Sequence, residues 1–251
     1  MEIYTSLIFF LFGIIFGSFF MVVGIRLPQK IPFASGRSIC PSCSYQLAWY
    51  DNIPLLSYLL LKGRCRKCLD PISYLYPLTE VFTGFLFVLC YFHATSPTEL
   101  LLSLLFISLL MIIMLTDLYY MVIPNNILAF FLPIFILVRI IEPLEPWWDP
   151  IAGGLTGFFI IFIVILWNKQ GMGAGDMKLM AVLGIVLGFS QIIATFLLAC
   201  ISGALIGSAL LYFNIIQRSK PFPFGPFIAF GALFTYFLGD TLIQWYLNLF
   251  I

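Results

Sequence analysis

The sequence predicts an all-α polytopic membrane protein of about eight transmembrane helices, with a small four-cysteine loop domain between the first two. Three observations predict it. Hydrophobic residues make up 62% of the 251 and charged residues only 9%, where an ordinary globular domain carries about 25% charged. Apolar runs near the length a bilayer needs, about 20 residues, recur along the chain. Two Cys-x-x-Cys pairs stand in the only sizeable polar stretch. This composition excludes a water-soluble enzyme, whose surface requires charge, and a disordered chain. A formal net charge of +1 leaves no electrostatic footprint for nucleic acid.

The eight apolar segments are 3–25, 77–93, 98–116, 122–141, 150–167, 177–189, 191–213 and 226–249. Each is expected to be helical, because lipid offers the backbone no hydrogen-bond partner. The sixth is short and glycine-rich and reads as a half-span or a tilted piece. The first exceeds a signal-peptide core, has no basic residue before it, and is followed by Arg26 and Lys30. It reads as an anchor rather than a cleavable leader.

Orientation follows from the basic residues. With the N-terminus outside, the cytoplasmic loops are 26–76, 117–121, 168–176 and 214–225. Arg26, Lys30, Arg37, Lys62, Arg64, Arg66, Lys67, Lys169, Arg218 and Lys220 fall in them, and Lys178 sits at the same edge. Arg139 alone lies toward the other side. The outer loop 142–149 is acidic and carries Trp147 and Trp148, which suit an interface belt. The domains are therefore 1–25, a first transmembrane helix; 26–76, a cytoplasmic module; and 77–251, a transmembrane core.

About 50 residues is marginal for a free-standing core, so loop 26–76 needs a staple. Cys40-Pro41-Ser42-Cys43 and Cys65-Arg66-Lys67-Cys68, separated by 21 residues, have the spacing of a four-cysteine zinc site. Disulfides compete, but a reducing cytoplasm opposes them. With all four positions filled by protein, such a site is structural. Cys90 and Cys200 lie in apolar segments and read as core.

Two aspartates stand at the predicted cytoplasmic edge. Asp117 ends the third apolar run in Leu115-Thr116-Asp117, and Asp176 sits in Gly173-Ala174-Gly175-Asp176-Met177-Lys178. An ionisable group at a membrane boundary is a functional candidate. Counting spans puts both at similar depth, where they could meet. Gly173 and Gly175 would let an extended peptide approach closely. As a pair, one ionised carboxylate would take a proton from water while the other, protonated, polarises the scissile amide. Two such charges about 4 Å apart at an effective dielectric near 20 repel by about 4 kcal/mol, so the pair would share one proton. Plain readings remain open: a solvated helix end for Asp117, a helix cap for Asp176, or a paired ion-transport site. Lys178 reads as a snorkelling cation that biases Asp176.

Taken together, the residues resemble the prepilin peptidase family, membrane aspartyl proteases also called type IV leader peptidases. The resemblance runs from Gly17-Ser18-Phe19 and Arg26-Leu27-Pro28 through the cysteine pairs and Tyr50-Asp51-Asn52-Ile53-Pro54. It continues through Gly63-Arg64-Cys65, Tyr76-Pro77 with Glu80, Asp117 and Pro124. It closes with the GxGD-like Gly173-Ala174-Gly175-Asp176 and with Pro223-Phe224-Gly225-Pro226. Met21 departs from it, where the family often has Asn. The resemblance implies that Asp117 and Asp176 are the catalytic pair. It implies type IV pilin or pseudopilin precursors as substrates, cut on the cytoplasmic side of a bacterial inner membrane just before an apolar helix. Pili, secretion machines and DNA-uptake (competence) systems use such enzymes. It further implies N-methylation of the new N-terminus with S-adenosylmethionine, although no Rossmann-type glycine fingerprint is present. Loop 26–76 carries seven Lys or Arg against two Asp, and the leader is basic too. Glu80, with Lys178, Gly173 and Gly175, is therefore a candidate for substrate contact; a salt bridge to a local Arg or Lys is the plainer role for Glu80. The alternative functions are an ion-coupled transporter with a zinc-stapled loop, an adaptor acting through that loop, and a presenilin-like protease. Oligomeric state cannot be read from the chain.

Overall fold

The computed structural model describes residues 2–33, 38–168, 172–215 and 222–250. Arg37, Lys169, Arg218 and Lys220, four of the basic residues used to orient the chain, lie outside the described residues. The described elements are helices: α1 (Glu2–Arg26), α2 (Leu56–Leu60), α3 (Leu75–His93), α4 (Pro97–Tyr120), α5 (Asn125–Ile141), α6 (Asp149–Trp167), α7 (Ala174–Leu187), α8 (Phe189–Tyr212) and α9 (Gly225–Phe250), with a 3-10 turn at Trp49–Asn52. All eight apolar segments are helical. Six of them (α1, α3, α4, α6, α8 and α9) are long and apolar enough to cross a bilayer, so the chain is a multi-pass membrane protein.

Among the described residues, length does not confirm the expected count of eight spans. At 1.5 Å per residue the 17 residues of α5 and the 14 of α7 rise about 26 and 21 Å, short of a hydrocarbon core of about 30 Å. Glycine sets the length of α7. Gly173 is its N-cap, and Gly188, at φ +83°, ends it, a conformation that L side chains avoid. There α8 begins at once. α5 carries Pro133 in its interior, which removes one backbone donor.

The chain divides into two compact units, residues 1–112 and 113–251, with α4 running from the first into the second. In the first unit α1 lies against α3 at near-backbone contact. A Cβ on Gly13 would stand 2.6 Å from the Gly84 Cα, and one on Gly17 2.8 Å from the Glu80 Cα. Gly13 and Gly17 form a GxxxG face, and small residues are what lets helices meet closely in lipid, where no hydrophobic force drives association. The Thr83 hydroxyl, inside this contact, donates to the Thr79 carbonyl at 2.7 Å.

The second unit repeats the device. A Cβ on Gly157 or Gly184 would overlap the carbonyl of Met180 or Gly153 respectively, so α6 and α7 also pack backbone to backbone. Between α8 and α9 the buried Thr195 and Thr235 hydroxyls are 2.7 Å apart, a polar contact that needs no water. Arg139, the basic residue out of line with the charge rule, ends α5 and donates to the Val186 carbonyl near the end of α7. A cation at a helix C-terminus is favourable, so its placement serves packing. Asp149 accepts from the Phe189 N–H at 3.2 Å, an acid at the start of α8.

Candidate active site and metal centre

In the first unit the four cysteines converge. The Sγ atoms of Cys40 and Cys68 are 3.7 Å apart and those of Cys43 and Cys65 4.0 Å; all four lie within 4.8 Å of one another. The two Cys-x-x-Cys turns are built alike. Cys40 N–H donates to Tyr45 and Ser44 N–H to Cys40; Cys65 N–H donates to Asp70 and Leu69 N–H to Cys65. The residue after each pair, Ser44 at φ 56° and Leu69 at φ 63°, is left-handed, which turns the chain back across the sulfurs. A one-pair antiparallel bridge flanks each turn, Ile39 with Gln46 and Arg64 with Pro71.

Backbone N–H groups of Cys43 and Ser42 aim at the Cys40 sulfur and lower its pKa to about 6. Cys68 also receives a backbone N–H, from Asp70. Burial and the neighbouring thiols of Cys65, Cys43 and Cys40 nevertheless push it up to about 12. Four thiols this close cannot all ionise unless a cation stands among them. The set can hold a metal ion. Arg66, within the second turn, donates to Asp51 at 2.8 Å and lies over the Tyr50 ring at 5.1 Å. Asp51 also accepts from the Ala48 N–H at 3.2 Å, so the second turn is tied to the 3-10 segment.

Glu80 is buried on α3. Its Oε2 accepts the Leu55 N–H at 2.8 Å, and Ser18 on α1 is a second hydrogen-bond partner. The plainer expectation, a salt bridge to a local Arg or Lys, is not found among the described residues. Leu55 sits at φ 58° as the N-cap of α2, and its amide has turned toward the carboxylate. The sequence carries no signal for this pairing across 25 residues.

In the second unit both aspartates are buried, Asp117 at 6% and Asp176 at 8% exposure. Asp117 lies in the last turn of α4 and Asp176 in the first turn of α7. Each is held by one backbone donor. Asp176 Oδ2 accepts the N–H of Gly173 at 2.9 Å: it stands at the third position of the helix and caps it back onto Gly173, rather than being the N-cap itself. Asp117 Oδ2 accepts the N–H of Gly225 at 2.7 Å, the first residue of α9. Burial pushes the Asp176 carboxyl up to about 6; the Gly173 N–H opposes this and the charge of Asp117 adds to it. The two carboxylates are thus within electrostatic reach of each other. An ionised carboxylate offers about four acceptor sites, so a single backbone bond leaves each able to engage water or an amide.

Glycine permits close contacts beside both aspartates. A Cβ on Gly175 would meet the Ile123 Cβ at 3.0 Å, so this glycine fits the link after α4 against α7. A Cβ on Gly173 would meet the Asp176 Oδ2 at 3.4 Å, an ordinary contact. Gly225, noted in the sequence only as part of a motif, is in direct contact with Asp117. Lys178 donates to Asn125 Oδ1 at 2.9 Å, at the start of α5.

Residues 11–94 match the bacterial peptidase A24 N-terminal domain, and residues 104–208 match the type IV leader peptidase family. The chain is 38% identical over 242 residues to a prepilin leader peptidase/N-methyltransferase of Bacillus subtilis, covering 96% of this chain and 98% of that protein. Proteins of the same name from Aeromonas salmonicida and Klebsiella pneumoniae are 33% and 38% identical, over 98% and 76% of this chain and 94% and 88% of theirs. No solved structure matches.

Proposed function

The chain belongs to the type IV leader peptidase family, and from that premise we propose that it cuts the basic leader from type IV pilin or pseudopilin precursors with Asp117 and Asp176 as its catalytic pair. The observation that carries this reading is the pair itself: two buried carboxylates, each steadied by one backbone N–H, close enough for one charge to act on the other.

The roles follow from their surroundings. Asp176 keeps its proton to about pH 6 and is the general acid. Asp117, which accepts the Gly225 N–H, then takes the general-base role. Asp117 takes a proton from water, the resulting hydroxide attacks the scissile carbonyl carbon, and Asp176 hydrogen-bonds the carbonyl oxygen. Collapse of the tetrahedral intermediate breaks the C–N bond, with a proton passing to the leaving amine. Gly173 would leave the peptide room beside Asp176, whereas the space at Gly175 is taken by Ile123; Lys178 and Glu80 are the charged candidates for contacting it.

Residues 26–76 form the module held by Cys40, Cys43, Cys65 and Cys68, between the span of 1–25 and the core of 77–251. Zinc suits the thiols. A tetrahedral site with Zn–S near 2.3 Å puts its sulfurs about 3.8 Å apart, and the Cys40–Cys68 and Cys43–Cys65 separations are 3.7 and 4.0 Å. With four protein ligands the ion would stabilise the module rather than activate water. The relatives' name supports a second activity, methyl transfer from S-adenosylmethionine to the new N-terminus; no residue is assigned to it. The basic loops support an inner-membrane location with the site at the cytoplasmic face.

The test is cleavage of a pilin precursor by the full-length protein in nanodiscs, read by mass spectrometry. Asp117→Asn and Asp176→Asn should each lower kcat by about 10²–10⁴-fold while still inserting and binding zinc. A wild-type rate for either variant refutes the assignment.

A further inference from the structure

Loop 26–76 carries an apolar face that no described residue covers. Leu56, Leu59 and Leu60 stand at i, i+3 and i+4 of α2, so they share one side of it. They are 51, 71 and 74% exposed. Tyr58, between them in sequence, turns the other way: its hydroxyl reaches the Ile72 carbonyl at 3.4 Å, and its ring covers Gly63. The helix is thus fixed to its module by one side and offers leucines on the other.

The edge of this face is basic. α2 runs directly into Lys62 and Arg64, both exposed. The loop's acids do not neutralise them: Asp51 is engaged by Arg66, the ion pair found among the described residues, and Asp70 is the remaining one. Both ends of the loop are membrane helices. α1 ends at Arg26 and α3 begins at Leu75, 15 residues after Leu60. The face is therefore tethered to the bilayer surface whatever its orientation.

We propose that this face of α2 docks on the membrane itself, with the three leucines at the acyl–headgroup boundary and Lys62 and Arg64 against the phosphates of anionic phospholipid. Exposed leucines beside cations are the composition of an interfacial helix, and cations near an anionic leaflet are attracted over about a Debye length. A pilin precursor is the competing occupant. Charge disfavours it, because on the substrate reading above its basic leader would meet this basic rim. Docking would also account for the excess of Lys and Arg in a loop that handles a basic substrate: lipid phosphates, rather than protein carboxylates, would balance them.

The experiment is tryptophan fluorescence of full-length Leu60→Trp, and separately Leu59→Trp, in nanodiscs of phosphatidylglycerol or phosphatidylcholine with acyl-chain-brominated lipid. Zinc content equal to that of the wild-type protein, with protease resistance of residues 26–76, controls for folding of the module. The emission added over wild type should be blue-shifted and quenched in brominated phosphatidylglycerol. Adding Lys62→Gln should lower the ratio of docked to undocked protein about fivefold, the effect of one cation near an anionic surface. Unquenched emission at the wavelength of a water-exposed indole, in both variants, would overturn the proposal. So would emission that shifts only when a pilin precursor is added, which would assign the face to substrate. None of these readouts requires cleavage, so failure of the peptidase reading leaves the result interpretable.

Discussion

Gly225→Ala is the substitution through which the structure makes its sharpest statement about catalysis. Gly225 opens α9, and the next residue, Pro226, has no N–H to offer. The Gly225 amide is 2.7 Å from Asp117 Oδ2. A Cβ built there would stand 2.8 Å from that oxygen and 3.0 Å from both Cβ and Cγ of Asp117. Rotation could move the oxygen, but the Asp117 Cβ is fixed to the α4 backbone. Carbon atoms in contact prefer about 3.5–4.0 Å, so Asp117 and the start of α9 must part by roughly 0.5–1 Å. A misplacement near 1 Å can cost about 10²-fold in rate, and a hydrogen bond to a charged group contributes about 1.5–3 kcal/mol. Both routes lead to a kcat lowered about 30–100-fold. KM should stay unchanged, because Gly225 touches Asp117 and is not one of the residues proposed to contact substrate. Initial rates of precursor cleavage in nanodiscs measure this, with zinc content and thermal unfolding as controls for folding. A kcat within about twofold of wild type would refute the claim that the Gly225 amide positions Asp117.

Three further outcomes follow from the same geometry. Because burial raises Asp176 to about 6, and the acid must hold its proton, activity should persist into weakly acidic buffer and fall as pH rises through about 6 or above. An alkaline limb near pH 4, the range of an ordinary aspartate, would show that Asp176 is not the acid. Cys40→Ser should lose bound zinc, by metal analysis, and make residues 26–76 sensitive to protease, since structural zinc supplies about 10–16 kcal/mol of apparent binding energy; retained zinc with an intact loop would contradict the four-thiol site. Gly157→Ala, whose methyl group overlaps the Met180 carbonyl, should destabilise by about 1–3 kcal/mol, whereas Gly207→Ala, with its nearest neighbour at 4.0 Å, should stay within about 0.5 kcal/mol; equal melting temperatures would deny the close α6–α7 packing.

Much of the architecture was legible in the chain, and the reasons are local. Lipid forces apolar runs into helices, so the eight segments are found within a few residues of where hydropathy put them. The spacing of Cys40, Cys43, Cys65 and Cys68 needed only two short turns to bring four sulfurs together. Asp117 and Asp176 stood out because a charge at the end of an apolar helix requires a reason. The count of spans was less legible. The shortness of the sixth segment showed in the chain, but what ends it, the left-handed Gly188, is a backbone feature. The GxxxG pairs Gly13 with Gly17 and Gly153 with Gly157 were available as a signal for the close helix contacts, but their partners, Gly84 and Gly184, were not.

Residue order alone supplies the material: membrane helices, a metal-ready loop, and two acids at helix ends. Which group holds which is settled by the folded chain. Asp117 rests on the amide of Gly225, 108 residues away. Glu80 caps α2 through Leu55 instead of pairing with a cation. Arg139 closes α7 rather than marking a loop. Each of these partners is a backbone group, and a backbone N–H or carbonyl is the same at every residue. Composition and spacing therefore cannot point to it; only the path of the chain can.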